Sequence, residues 1–207
     1  MDNVAALLLT AGASRRMGTP KALLPWGHST VVQHLLNIIR QAGLTQTLLL
    51  TGAHHNEIQE VLKVGGTEIC FHPEWDLGMG STISKGVQEV EQRFSGIDAV
   101  LILLVDQPLI TRSYLRQVLN AHQKQPEVII ASDYGAFAGV PALFPRNFWE
   151  ALKDIPPAQG GRKIIASYRD KCKVLDPADT VADIDTPEAY KKALSIYLSK
   201  QTKHLKE

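Results

Sequence analysis

Residues 99–105, AVLILLV, constrain the fold more than any other stretch of the chain. Seven consecutive apolar residues with several β-branched side chains form a run as short as a strand, and it lacks the alternation of a strand with one wet face. It reads as a central strand covered on both faces, as in parallel α/β sheets. It ends in Asp106-Gln107-Pro108. An acidic side chain at the C-terminal end of such a strand sits where open α/β sheets place their ligands.

The remaining segments fit that frame. Short apolar runs at residues 4–9, 47–51, 68–71 and 128–131 alternate with amphipathic stretches. Ser29 and Thr30 can cap a helix that carries Val31, Val32, Leu35, Leu36, Ile38 and Ile39 on a broad apolar face and stops at Gly43. A short helix is expected over 56–62, one bearing Ile83, Val87 and Val90, one over 111–123, and two more at 147–152 and 161–168. Residues 136–144, AFAGVPALF, read as strand–turn–strand with Gly139 and Pro141 as breakers, which makes the sheet mixed. Short strands are expected at 173–175 and 181–184. Thr186 caps the last helix, and Pro187 occupies its first turn as it runs to about residue 198. The expected architecture is a single α/β domain over 1–199, three-layered and Rossmann-like with a mostly parallel mixed sheet, followed by a polar C-terminal tail at 200–207.

Charge and cysteine usage exclude several classes of function. The 207 residues carry a net charge of only +1, so no global field points to nucleic acid or to a membrane surface. Two cysteines, Cys70 and Cys172, lie in separate segments without metal-ligand spacing and read as reduced thiols of a cytoplasmic protein. The N-terminal run lacks a basic start and is followed by arginines, unlike a signal peptide. No apolar run approaches the ~20 residues of a membrane span.

The chemistry is expected at residues 9–21, LTAGASRRMGTPK. A strand opens into small residues, Ala11, Gly12, Ala13 and Ser14, followed by Arg15, Arg16, Gly18 and Lys21. Small residues let a ligand approach the backbone, successive N–H groups can cradle an anion, and the basic side chains add charge. That combination suits a polyphosphate. It is neither of two better-known phosphate loops. Counting from Gly12, the P-loop glycine position holds Met17, and the second glycine of the dinucleotide fingerprint is replaced by Ser14. A second loop at 72–82, HPEWDLGMGST, feeds a helix and offers another anion or polar-group site, or an ordinary cap at Ser81 or Thr82. Asp183 and Asp185 alternate along an extended stretch and so share a side. A basic loop, Asp106 and a late aspartate together form a magnesium–nucleotide constellation, because Mg²⁺ takes one or two carboxylates plus phosphate oxygens. His54-His55 reads as solvated rather than metal-binding, and Trp75 as packing. His72 and Asp76 flank the second loop.

The stretch LLLTAGASRRMGTPKALLPW resembles the signature of the MobA-like nucleotidyltransferases, within the wider NDP-sugar pyrophosphorylase fold, and is most similar to the molybdenum cofactor cytidylyltransferases. The resemblance continues in order through DLGMGSTISKGV, LLVDQPLI, GVPALFP, QGGRKII and DIDTPEAY, covering nearly the whole chain. It implies that Leu9, Ala11 and Gly12 contact the nucleotide through their backbone, that Arg16 and Lys21 bind phosphate, and that Gly80 and Ser81 approach the base. Asp106 and Asp185 would be the Mg²⁺ carboxylates, with Arg16, Lys21 and Asp106 carrying catalysis. The implied reaction moves CMP from CTP to the phosphate of molybdopterin, the organic part of the molybdenum cofactor, with release of pyrophosphate. A molybdoenzyme or its accessory protein would be a downstream partner. Ala11-Gly12 and Pro20-Lys21 favour CTP over GTP by resemblance alone. A guanylyl or sugar-phosphate transferase, and a nucleotide- or cofactor-binding carrier without catalysis, are the alternatives. Val140 stands where the cytidylyltransferases often carry His, and Gly160-Gly161-Arg162 replaces a related Gly-Ala-Arg. Both departures fall where the acceptor is expected.

Overall fold

A computed structural model of the chain describes residues 3–14, 16–62 and 67–204. Among these described residues nine strands and seven α-helices follow in the order β1 (Val4–Thr10), β2 (Pro25–Trp26), β3 (Ser29–Thr30), α1 (Val31–Ala42), β4 (Thr47–Thr51), α2 (His55–Val61), β5 (Glu68–Phe71), α3 (Met79–Arg93), β6 (Ala99–Leu104), α4 (Arg112–Lys124), β7 (Ile129–Asp133), β8 (Ala138–Pro145), α5 (Trp149–Lys153), α6 (Gly161–Ser167), β9 (Cys172–Leu175) and α7 (Pro187–His204). The main sheet has seven strands in the order β5-β4-β1-β6-β8-β7-β9. Strands β5, β4, β1 and β6 run parallel, whereas β8 pairs antiparallel with both β6 and β7. The fold is therefore the mostly parallel mixed α/β sheet that the alternating pattern predicts, and β2 and β3 form a separate small hairpin.

The sheet is buried on both faces because its central strands β1 and β6 are apolar at every position but the final Thr10 of β1. In β1, Val4, Ala6 and Leu8 join one core with Leu101, Leu103 and the α1 and α4 side chains. Ala5, Leu7 and Leu9 join the other with Val100, Ile102 and α3. The period of two sends neighbouring residues to opposite layers. Helix α1 is set by a capping box, in which Thr30 accepts from the Gln33 backbone and the Gln33 side chain returns to the Thr30 N–H. It ends at Gly43 in the left-handed region, φ +100°. Helix α3 lies close against β1. A Cβ on Gly86 would come within 2.6 Å of a Leu7 methyl.

Three segments differ from the sequence-based expectation. Residues 136–144 do not turn at Gly139 and Pro141. The turn comes earlier, and β8 runs unbroken through a cis Val140–Pro141 peptide. The proline is tolerated because the β7–β8 register slips between Ala131 and Ser132, so the ladder skips the residue that has no N–H. Residues 181–184 form no strand. They are pinned by the Ile184 N–H donating to the Asp106 carbonyl at 2.8 Å. Helix α7 continues through His204, past the expected end near residue 198, so the polar tail begins as helix. No helix among the described residues is long and apolar enough to cross a membrane.

Candidate active site

The C-terminal ends of β1 and β6 open into a cleft of about 490 Å³. Leu9, Ala11, Gly12, Arg16, Lys21, Asp106 and Asp185 all line it, together with Thr10, Ala13, Ser14, Trp75, Asp76, Met79 and Thr82. The fold thus brings to one cleft seven of the nine residues to which the resemblance assigns a site role.

The loop after β1 is shaped around Ser14, which takes the left-handed conformation at φ +50°. Its carbonyl accepts from Met17 N at 2.9 Å and its hydroxyl accepts from Lys21 N at 3.0 Å. Gly18, at φ +65°, reverses the chain. The Ala11 carbonyl accepts from Ala53 N at 3.1 Å, and His54 Nε2 lies 3.3 Å from the Ala13 carbonyl. Carbonyls are thereby tied back to the β4–α2 connection. Among the described residues the N–H groups of Gly12, Ala13 and Ser14 have no protein acceptor, which leaves them for an anion. Arg15 lies outside the described residues.

Lys21 Nζ sits between two carboxylates. It donates to Asp106 Oδ2 at 3.1 Å and to Asp185 Oδ1. Arg16 closes the outer side, donating to Asp185 Oδ2 at 2.9 Å. Burial alone would lower the Lys21 pKa, but the Asp106 and Asp185 charges outweigh it and hold the ammonium above its usual value. Hydrogen bonds from Lys21, then the Arg16 charge, hold Asp185 low. Asp106 goes the other way. Burial raises it, against the pull of Lys21. Its Oδ1 is buried without a hydrogen-bond partner among the described residues.

A divalent cation fits this donor set. Two carboxylates are already gathered round one positive charge, and one carboxylate oxygen lacks a partner. Among the described residues no group of three or more His, Cys, Asp or Glu side chains is arranged to hold a metal. Asp106 and Asp185 would therefore supply two ligands, with phosphate oxygens and water supplying the rest.

The second loop is placed differently. Gly80 and Ser81 do not line the cleft. The Gly80 N–H donates to the Pro157 carbonyl at 2.8 Å, and a Cβ there would come within 2.1 Å of the Pro156 carbonyl oxygen. This glycine lets α3 pack against residues 156–159. Ser81 Oγ lies 2.8 Å from His72 Nε2, away from the cleft. Neither Ser81 nor Thr82 caps α3, whose N-cap is Gly78 at φ +125°. The cleft wall is made instead by Trp75, Asp76, Met79 and Thr82. Trp75 packs and lines at once. Its Cβ and Cγ lie against Gly52, where a Cβ would come within 2.7 Å, and the residue also lines the cleft. His54 and His55 are not merely solvated. His54 braces the loop, and His55 Nδ1 lies 2.8 Å from Thr51 Oγ1.

Sequence reasoning missed the residues behind Asp106. Gln107 is 2 % exposed, and its Nε2 donates to Tyr134 Oη at 2.6 Å and Asp183 Oδ1 at 3.0 Å. These lie along a second cavity of about 200 Å³, which shares Leu9, Met79 and Leu104 with the first. The available signal was a second polar residue, directly after Asp106, at the end of a doubly buried strand.

Comparison with known proteins gives the family and the fold. A family model described as the MobA-like NTP transferase domain matches residues 6–172. Purine catabolism protein PucB of Bacillus subtilis (strain 168) is 29% identical over 196 residues, covering 89% of this chain and 92% of PucB. Nicotine blue oxidoreductase of Paenarthrobacter nicotinovorans is 25% identical, covering 89% and 93%. Among solved structures, the Rv0371c homologue from Mycobacterium sp. strain JC1 superposes with a TM-score of 0.82 at 26% identity, covering 96% of this chain and 98% of that one. The manganese complex of Rv0371c from Mycobacterium tuberculosis H37Rv gives 0.73 at 21%, covering 93% and 98%.

Proposed function

Because the chain belongs to the MobA-like NTP transferase family, we propose that it is a Mg²⁺-dependent cytidylyltransferase that moves CMP from CTP to the phosphate of molybdopterin. The observation that carries this reading is Lys21 held between Asp106 and Asp185 beside a loop whose residue 12–14 N–H groups have no acceptor among the described residues. A site that only bound nucleotide would have no use for two carboxylates, which repel a triphosphate. Carboxylates are useful where a cation must be held against the reacting phosphate.

The triphosphate lies on the N–H groups of residues 12–14, with Arg16 and Lys21 neutralising its charge. The acceptor phosphate oxygen attacks the α-phosphorus, the bond from that phosphorus to the bridging oxygen breaks, and pyrophosphate leaves with the bridging oxygen. No covalent enzyme intermediate is needed, and Cys70 and Cys172 lie away from the cleft. A Mg²⁺ ion held by Asp106 and Asp185 would supply charge stabilisation at the α-phosphate. The residues do the rest by position. Burial keeps the field of Lys21 strong, and the Ser14–Lys21 bond sets where its backbone lies. The manganese complex of Rv0371c supports a divalent ion in this fold. The choice of CTP rests on the Ala11-Gly12 and Pro20-Lys21 resemblance.

A thermal-shift panel of CTP, GTP, ATP and UTP, each with and without Mg²⁺, tests the reading. A ligand at 100 times its dissociation constant adds ~2.7 kcal/mol, roughly 5–11 °C for a chain of this size. The expected result is a shift with CTP that requires Mg²⁺, and pyrophosphate release once molybdopterin is added. A shift with GTP alone moves the reading to guanylyl transfer. Nucleotide binding without pyrophosphate release makes the protein a carrier.

A further inference from the structure

Two side chains of the protein stand where a bound cation would stand. Lys21 Nζ bridges Asp106 Oδ2, at 3.1 Å, and Asp185 Oδ1, and Arg16 Nη2 donates to Asp185 Oδ2 at 2.9 Å. Three of the four carboxylate oxygens are thus taken by side-chain N–H donors. The fourth, Asp106 Oδ1, is buried with no partner among the described residues. Two monovalent side chains balance two carboxylates, and their summed charge equals that of one divalent ion. An ion that bridges Asp106 and Asp185 needs the space in which Nζ lies.

Both side chains are able to leave. The Lys21 backbone is fixed, because its N–H donates to the Ser14 hydroxyl at 3.0 Å. The ammonium, however, rides on a flexible four-carbon stem. It lines the same cleft as residues 12–14, whose N–H groups have no acceptor among the described residues. The Arg16 side chain is 74% exposed and pairs with Asp185 at the cleft edge. Neither side chain has to cross a packed core to reach an anion lying on residues 12–14.

We propose that Lys21, with Arg16 beside it, is a built-in substitute for the divalent ion, and that metal and polyphosphate enter the site together by an exchange of cations. Without a polyphosphate, an ion reaching Asp106 and Asp185 must break three charge-assisted hydrogen bonds and leave two cations unpaired. A polyphosphate arriving without an ion draws off Lys21 and Arg16 only by uncovering two carboxylates beside it. When both arrive, the side chains pass from carboxylate to phosphate and the ion takes the carboxylates, so no charge is left bare. The coupling is reciprocal, and each ligand raises the affinity of the other by the same factor. That the polyphosphate is a nucleotide rests on the nucleotidyl-transfer reading above. The competition between Lys21 and the ion for one pair of carboxylates does not.

Mn²⁺ titration of the full chain, followed by electron paramagnetic resonance with no acceptor present, tests this. Without nucleotide, Lys21→Ala is expected to bind Mn²⁺ at least about tenfold more tightly than the wild type. This is the reverse of what losing a ligand-binding residue does. Arg16→Gln should gain less, because Arg16 touches one carboxylate only. Lys21→Met, which keeps most of the stem, should gain as Lys21→Ala does and serves where the shorter side chain folds poorly. Adding Asp106→Asn to either Lys21 variant should cancel the gain. The gain should persist in 1 M KCl, where the Debye length is about 3 Å, because it comes from vacated space and not from a distant field. Mg²⁺ alone should raise the melting temperature of Lys21→Ala and leave the wild type unmoved. Equal Mn²⁺ affinity in the wild type and both Lys21 variants overturns the exchange, and so does a gain that vanishes at high salt. If the wild type still binds Mn²⁺ once CTP is added, the nucleotidyl reading stands without the exchange. Tighter Mn²⁺ binding by the Lys21 variants, with no response of the wild type to CTP, keeps the substitute cation and removes the nucleotidyl reading. No Mn²⁺ binding by any of these proteins, with or without CTP, overturns both.

Discussion

Lys21 and Asp106 are 85 residues apart in sequence and 3.1 Å apart at Nζ and Oδ2. Each arrives by a different route. Asp106 follows the central strand directly. Lys21 returns from a loop that leaves the adjacent strand, turns at Ser14 and Gly18, and closes on the Ser14 hydroxyl. Asp185 comes from a third segment, pinned to the first by the Ile184–Asp106 backbone bond. Three chain segments meet at one ammonium, so the pair forms only when the whole fold is in place.

The two partners carry opposite signs in stability. Lys21 is held above its usual pKa, so its favourable pairing is fully present at neutral pH. Removing it in Lys21→Ala leaves Asp106 and Asp185 facing each other, and the melting temperature should fall. Asp106 is raised because its charge is buried. Asp106→Asn removes that charge at nearly constant shape, and should melt at or above the wild-type temperature. Both variants should remain folded by circular dichroism and lose at least ~10²–10³ in turnover, the usual scale of a preorganised electrostatic contact. Near-wild-type turnover in either removes it from the catalytic role.

Trp75 should report nucleotide binding. The chain has three tryptophans. Trp26 is 0% exposed and Trp149 is 1% exposed, whereas Trp75 lines the cleft. Titrating CTP with Mg²⁺ is expected to change the intrinsic fluorescence, and Trp75→Phe is expected to abolish most of the change. An undiminished signal in Trp75→Phe would place the nucleotide away from this wall.

The sheet and the charged half of the site were legible because they depend on local chemistry. An apolar run of seven residues has few other uses than a doubly covered strand, and Asp106 follows directly on it. The residues behind Asp106 were harder to read. Gln107 takes its role from Tyr134 and Asp183, 27 and 76 residues away, and no spacing announces such a contact. Residues 139–141 misled for a related reason. Gly and Pro ordinarily break a strand, but here residues 140 and 141 bulge out of the β7–β8 ladder and β8 continues past them. Gly80 looked like a flexible ligand loop. Its lack of a Cβ instead serves packing against residues 156–159.

That last point predicts a stability effect. Gly80→Ala would set a Cβ 2.1 Å from the Pro156 carbonyl oxygen and 2.8 Å from that of Gln159. Both neighbours are backbone and cannot swing aside as a side chain can. The loss should be at the upper end of overpacking costs, about 3 kcal/mol. Gly12→Ala is the control, since a Cβ there meets nothing within 4 Å. Denaturant melts should therefore separate the two, with Gly80→Ala shifted strongly and Gly12→Ala little. Equal midpoints would mean that residues 156–159 do not press on α3 as described.

Acid should destabilise the protein before its carboxylates matter. Burial lowers His34, His72 and His122 from the ordinary value. The unfolded chain therefore takes up these protons first, near pH 6.5, and the stability held by the neutral rings is lost as pH falls from there toward the folded values. Asp185 is held low, so its contribution persists down to about pH 4 and is lost only below that. Asp106 is raised, so acid relieves its burial and opposes the trend. The melting temperature at constant ionic strength should accordingly fall between pH 7 and pH 5. His122 is 6% exposed, with Nδ1 buried and unpartnered among the described residues, and burial outweighs the pull of the Asp98 and Glu127 charges. His122→Gln and His34→Gln should each flatten the slope, the latter because burial of His34 outweighs the Pro108 carbonyl 3.1 Å from its Nε2. A flat profile in the wild type would mean that these rings gain their protons without leaving the fold.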